Sequence, residues 1–182
     1  FQDYAGGHLY RYDPKRSLAQ VKLPGMEAEV VDLGIPVPRN SIYALTANTA
    51  GTEIYGLTYP DGRFFVYTIA SGKFTDVGAV DEERGYHGPE RHWRSLPRAL
   101  ICDNAGRVFT SGTRGELIYY CPKTRKLQSA GLRVPGDYVY VQFFQDHAVV
   151  ECFARTPTGK IYGGTCDGYL FAFDPGAMKL VN

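Results

Sequence analysis

Apolar and polar residues alternate along most of the chain in short runs closed by glycine or proline, the pattern of half-buried strands. In the last third, Val149–Ala154, Lys160–Gly164 and Tyr169–Phe173 read as three successive strands, and Lys179–Val181 begins a fourth. Thr156-Pro-Thr-Gly159 turns the first strand into the second. Cys166-Asp-Gly168 turns the second into the third, and an Asp-Gly pair favours the positive φ and twist of a tight hairpin. Asp174-Pro175 closes the third strand, because proline cannot donate to the ladder. The same order runs through Ser41–Val77 and Arg98–Leu132, and no stretch carries a convincing amphipathic helix of three turns.

These runs are copies of one another. Ile54-Tyr-Gly-Leu-Thr-Tyr-Pro-Asp-Gly-Arg-Phe-Phe-Val-Tyr67 aligns with Val108-Phe-Thr-Ser-Gly-Thr-Arg-Gly-Glu-Leu-Ile-Tyr-Tyr120 and with Ile161-Tyr-Gly-Gly-Thr-Cys-Asp-Gly-Tyr-Leu-Phe-Ala-Phe173. A partial copy opens the chain at Gly7-His-Leu-Tyr-Arg-Tyr-Asp-Pro14. The turn glycines fall at Gly7, Gly62, Gly115 and Gly168, at intervals of 55, 53 and 53 residues. A second glycine recurs at Gly106 and Gly159, again 53 apart, with Gly51 as its nearest match one unit earlier.

Four-stranded units of this length have the period of a β-propeller blade, in which each sheet packs face to face on its neighbours around a channel. The run Lys160-Ile-Tyr-Gly-Gly-Thr-Cys-Asp-Gly-Tyr-Leu-Phe-Ala-Phe-Asp-Pro175 resembles the blade motif of kelch-like and quinoprotein-like propellers. The expected fold is therefore all-β: a propeller segment of about three and a half four-stranded blades. Residues 1–30 would form a partial blade, 31–80, 98–133 and 134–182 the three fuller ones, and 81–97 an inserted loop. Propellers commonly hold four to eight blades, and an open stack would leave apolar end faces bare. The expected partners are the remaining blades of a ring of about seven, in the same protein or a second chain, with a self-associating half-ring as the alternative.

Composition changes this picture little. The chain has 182 residues, 44% of them apolar, with 14 Tyr, 10 Phe and one Trp, which excludes a disordered chain. Lys plus Arg number 20 against 19 Asp plus Glu, so nothing suggests a nucleic-acid or anionic-membrane binder. No run approaches the length of a membrane span. The chain opens at Phe1 without a methionine or a leader-like segment, as expected of a processed protein or a piece of a longer one. Four cysteines, at 102, 121, 152 and 166, form no CxxC pair, so a structural zinc site is not expected. Buried thiols and two disulfides both fit the even count, and the compartment stays open.

The repeat also ranks candidate functional positions. In a blade the first strand lines the channel, and the residues just before it approach one entrance. Counting back 12 residues from Gly51, Gly106 and Gly159 gives Arg39, Arg94 and His147. Asn40, His92, Trp93, Gln145 and Asp146 neighbour them, and Arg91 precedes His92 by one. Cations gathered in a concave mouth focus positive potential, and guanidinium forks match carboxylate or sulfate. An acidic glycan or a protein would then be the ligand, with Arg39, Asn40, Arg91, Trp93, Arg94 and Asp146 as its contacts. Pairing of these cations with Asp146 or Glu90 is the structural alternative, and Trp93 equally suits a plug at a blade junction.

Enzymatic signatures are sparse. The chain lacks HExxH, GxSxG, P-loop and dinucleotide fingerprints, so no cofactor is expected. His87, His92 and His147 could in principle meet over a metal, but spacings of 5 and 55 residues do not by themselves establish that geometry. Some propeller polysaccharide lyases cleave uronate-containing chains by β-elimination, and this chain is similar to them in fold and in residue types only. That chemistry needs a cation on the carboxylate, a base and an acid. Arg94, His92 or His147, and Tyr140 would fill those roles, although Tyr138 and Tyr140 equally suit the core or rim.

Overall fold

The computed structural model of the chain describes residues 6–12, 30–80, 97–112, 115–136 and 148–181. These residues form strands alone, fourteen in four antiparallel sheets, with no α-helix among them. The first sheet has two strands, β1 (Leu9–Tyr12) and β2 (Val30–Gly34). The second holds β3 (Ser41–Ala47), β4 (Glu53–Tyr59), β5 (Arg63–Thr68) and β6 (Lys73–Ala79) in sequence order. The third holds β7 (Ile101–Cys102), β8 (Val108–Ser111), β9 (Glu116–Cys121) and β10 (Lys126–Arg133). The fourth holds β11 (Val150–Arg155), β12 (Ile161–Thr165), β13 (Leu170–Asp174) and β14 (Lys179–Val181).

Every repeat glycine from the second unit onward sits at the positive φ that a side chain resists. Gly51, Gly106 and Gly159 have φ of 65°, 82° and 89°; Gly62, Gly115 and Gly168 have 60°, 73° and 90°. The first unit departs from this: Gly6, not Gly7, carries the positive φ, of 100°. Gly7 is needed for a different reason. A Cβ there would lie 2.6 Å from the Ile42 backbone nitrogen, so only glycine lets the first sheet approach the second this closely.

Each complete sheet presents two apolar faces, and consecutive sheets bury them against each other. Between the second and third sheets, Tyr55, Leu57 and Phe64 meet Cys102, Val108 and Tyr120. The Tyr120 ring lies 5.2 Å from Phe64 and 5.6 Å from Tyr55. Between the third and fourth, Phe109 and Leu117 meet Val150, Ile161, Phe171 and Phe173. The Phe109–Phe173 contact, at 5.1 Å, is the Tyr55–Tyr120 contact moved on by one unit. First strands neighbour first strands (β3 beside β7, β7 beside β11), and outer strands β6 and β10 also touch. The stack is thus built on one repeated joint, the arrangement of propeller blades.

The first sheet is the outer half of such a unit. In β1–β2, His8 pairs with Asp32 at 2.8 Å, and the Asp32 carboxylate accepts the Gly34 N–H. In β5–β6, Arg63 pairs with Asp76 at 2.8 Å, and Asp76 accepts the Gly78 N–H. In β9–β10, Ser129 bonds Glu116 and accepts the Gly131 N–H. The register of all three strand pairs shifts near this polar group. β1 and β2 therefore match third and fourth strands, and this pair runs to Gly34, four residues past the expected partial blade. The four cysteines are free thiols.

Candidate functional site

The approaches to the first strands and the turns between second and third strands share one rim. Before β3, the Asn40 side-chain oxygen accepts the Asp61 N–H at 3.1 Å and the Thr58 hydroxyl at 3.0 Å. Its amide nitrogen donates to the Pro38 carbonyl at 3.1 Å and the Asp61 carboxylate at 2.9 Å. Before β11, the Val149 carbonyl accepts the Cys166 N–H at 2.9 Å. Both links tie the entry of a first strand to the Asp-Gly turn of its own sheet.

Asn40 and Arg39 take different roles on this rim. Asn40 is 1% exposed and spends its whole amide inside the fold, so it clamps the entry. Arg39 is exposed and holds φ of 60°, an uncommon conformation for a residue with a β-carbon. Such positions persist where neighbouring contacts fix them, and here the fixing contacts are those of Asn40. Arg91, His92, Trp93, Arg94, Tyr140, Asp146 and His147 lie outside the described residues, as do His87, Glu90 and Tyr138.

Close packing extends the rim across the joint between the third and fourth sheets. A Cβ on Gly115 would lie 2.7 Å from that of Ala148, and one on Gly136 would lie 2.5 Å from it. Ala148, next to His147 in sequence, is fully buried with φ of 56°. Nearby, Arg98 forms an ion pair with Glu151, its counterpart 53 residues on.

The opposite rim carries the other repeat turns and a groove of about 250 Å³ lined by Asp103, Asn104, Arg107, Lys160 and Asp174. Asp103 is 1% exposed. Its carboxylate accepts the N–H groups of Ala105 and Arg107 and pairs with the Arg107 guanidinium at 2.7 Å. Arg107 also donates to the Pro175 carbonyl at 2.7 Å, stapling the third sheet to the fourth. The charges of Asp103 and Arg107 are used in the fold itself. Among the described residues, no group of three or more His, Cys, Asp or Glu is placed to hold a metal ion. No helix among them is long and apolar enough to cross a membrane.

Two features escaped the reading of the sequence. The Asp32-x-Gly34, Asp76-x-Gly78 and Ser129-x-Gly131 motifs are a third recurring signal, obscured because the first interval is 44 residues and the second 53. The Asn40 clamp joins residues 21 apart and has no local signature.

No family model and no curated protein matches the chain. Solved structures do. The extracellular domain described as a one-component system from B. thetaiotaomicron superposes with a TM-score of 0.56 at 18% identity, over 93% of this chain and 19% of that one. The structure of U3-55K matches with a TM-score of 0.54 at 12% identity, over 79% of this chain and 38% of that one. The WD40 repeats of RRP9 give 0.53 at 12% identity over the same shares. The class is thus an all-β, propeller-type fold. The chain spans 19% to 38% of the length of these neighbours.

Proposed function

We propose that the chain is a recognition module, a propeller segment whose mouth binds an acidic glycan or an acidic protein surface. It is completed by further blades, to a ring of about seven, in the same protein or in a second chain. Its blades are of the kelch-like and quinoprotein-like type. The observation that carries the reading is Arg39, an exposed guanidinium on a left-handed residue at the entry of a first strand, anchored by buried Asn40. The repeat assigns Arg94 and His147 to the matching entries of the next two blades, with Arg91, Trp93 and Asp146 beside them. Arginine forks suit carboxylate or sulfate groups, and Trp and Arg are common anchors of binding. A neighbour of the same fold is an extracellular domain described as part of a one-component system, which suits sensing.

Titration of labelled pectin, alginate and heparin oligosaccharides, with a polyglutamate peptide alongside, tests this. Saturable binding that falls about tenfold or more on joint Arg39→Glu and Arg94→Glu replacement is expected. Trp93→Ala should weaken it as well. Binding unaffected by these changes rejects the reading. Unsaturated product that disappears in the His92→Ala, His147→Ala pair would replace it with β-elimination.

A further inference from the structure

We propose that Tyr43, Arg98 and Glu151 form one binding site for a neutral pyranose unit of a glycan, along the first-strand edge of three consecutive sheets. The proposal rests on the recognition role given above, takes its glycan branch, and adds a sugar contact that carries no charge.

Strand pairing puts the three residues at one position of the repeat. Thr46, Ile101 and Ala154 lie across from Tyr55, Phe109 and Tyr162, which are equivalent second-strand residues. Three residues before them stand Tyr43, Arg98 and Glu151, which also lie eight before Gly51, Gly106 and Gly159. Tyr43 and Glu151 share a backbone feature as well. Each is the extra residue where the register of its strand shifts, between Ile42 and Ala44 and between Val150 and Cys152. A bulge of this kind re-aims a side chain, and bulges are over-represented beside active sites.

The ion pair of Arg98 with Glu151 shows that side chains at this position meet between neighbouring sheets. Strand β3 neighbours β7 as β7 neighbours β11, which sets Tyr43 on the other side of Arg98. The edge of the three sheets therefore runs aromatic ring, guanidinium, carboxylate.

The chemistry of these groups selects the ligand. Tyr43 is 50% exposed although Tyr59 braces its ring, with centroids 5.9 Å apart. A ring held this way offers an apolar face to the C–H side of a sugar and a polar tip to water. The side chains of Arg98 and Glu151 remain 26% and 39% exposed. So open an ion pair adds little to stability, and its charges cancel, so it gives an anion no advantage. What it does offer is guanidinium N–H donors beside a carboxylate acceptor. Adjacent hydroxyls of a pyranose are the complement: one accepts from Arg98 while the next donates to Glu151.

Labelled cellotriose, xylotriose, mannotriose and laminaritriose are titrated against the full chain, with heparin and alginate oligosaccharides in parallel. Saturable binding of at least one neutral trisaccharide is expected, weakened about tenfold or more by Tyr43→Ala and by Glu151→Ala. Tyr43→Phe, which keeps the ring, should restore what Tyr43→Ala loses. Leu170→Asp, on the far face of the fourth sheet, should leave the binding unchanged. Urea midpoints report whether each variant folds, and Tyr43→Ala, at an exposed side chain, should keep its midpoint. No saturable binding of any neutral trisaccharide, or binding indifferent to Tyr43→Ala and Glu151→Ala, overturns the proposal. If the acidic oligosaccharides still bind in that case, the acidic mouth stands without this site. Neutral binding that depends on Tyr43 while the acidic oligosaccharides fail to bind upholds this site and rejects the acidic mouth.

Discussion

The Arg155 guanidinium donates to the Cys102 carbonyl at 2.8 Å, although the two residues hold the same place in consecutive units, 53 positions apart. The repeat is thus uniform in backbone and individual in its bonds across the joint. Replacing Arg155 with Ala removes this bond and leaves the Cys102 carbonyl with one fewer donor. A loss of about 1 kcal/mol is expected, since net hydrogen bonds contribute ~0.5–1.5 kcal/mol. Urea denaturation should show a lower midpoint at an unchanged slope; a change of slope would mean that the joint itself had opened.

The pairing of glycine with phenylalanine gives a sharper test. Gly56 lies under Phe65 and Gly163 under Phe171, whereas the third sheet sets Thr110 across from Ile118. Side-chain volume has moved from one strand to its neighbour. Gly163→Thr alone forces the Phe171 ring aside, and Phe171→Ile alone leaves a void above the glycine. Each is expected to cost about 1–3 kcal/mol. The double variant, which copies the third sheet, should recover most of that loss in a double-mutant cycle. Strict additivity would refute the exchange.

What the sequence disclosed, and what it withheld, follows from the range of each interaction. Gly62, Gly115 and Gly168 mark their turns because a positive φ excludes most side chains, a local rule visible as spacing. The Asp-x-Gly motifs obey an equally local rule, but the longer connection between β1 and β2 broke their interval. The repeat picks out Arg39 and adjacency adds Asn40, with nothing in the sequence to tell their roles apart. They separate only when Asp61 and Thr58, distant in sequence, arrive to bury Asn40. The repeat spacing that led to an expected ring of cations rests on Arg94 and His147, and these fall outside the described residues.

Alkali should attack the joint between the second and third sheets. Burial pushes the hydroxyl of Tyr55 far up, reinforced by its bond to Glu53; burial also raises Tyr120, and burial with the adjacent Asp103 charge raises the Cys102 thiol. For each group the folded value lies above the unfolded one, near 8.5 for Cys and 10 for Tyr. The unfolded chain therefore sheds protons first, and stability is intact below those values and falls as pH rises past them. Equilibrium unfolding measured from pH 7 to 11 should show a decline that begins near 8.5 and steepens near 10. Tyr55→Phe should flatten its steep part; an unchanged profile would place the alkaline sensitivity elsewhere.

Cys121 shifts the opposite way. The Thr124 N–H, then the Thr124 hydroxyl, then the Lys123 N–H and charge favour its thiolate. It stands one unit before Asp174, whose carboxylate accepts the Gly176 and Ala177 N–H groups in the matching turn. Alkylation by iodoacetamide, followed by peptide mass mapping, should reach half-maximal rate at Cys121 below the ordinary thiol value of about 8.5. Thr124→Ala should move that midpoint upward. A midpoint indifferent to Thr124 would refute the account.

Leu117 and Leu170 occupy one position in consecutive units and meet opposite fates. Leu117 is fully buried against the fourth sheet, while Leu170 is 78% exposed on the far face of that sheet. With Tyr162, Ala172 and Leu180 it lines an apolar groove of about 570 Å³. Tyr162 and Ala172 stand where Phe109 and Tyr119 stand one unit earlier, on the face that the fourth sheet covers. Leu117→Ala should cost about 2–5 kcal/mol, from lost burial and the cavity left behind. Leu170→Ala in the isolated chain should stay within about 0.5 kcal/mol, as exposed substitutions do. Once a further blade covers this face, the second value should rise toward the first, because the two leucines would then share one environment. Denaturation of both variants, with and without the completing blades, measures that convergence; two costs that stay apart in the completed ring would show that the far face is no joint.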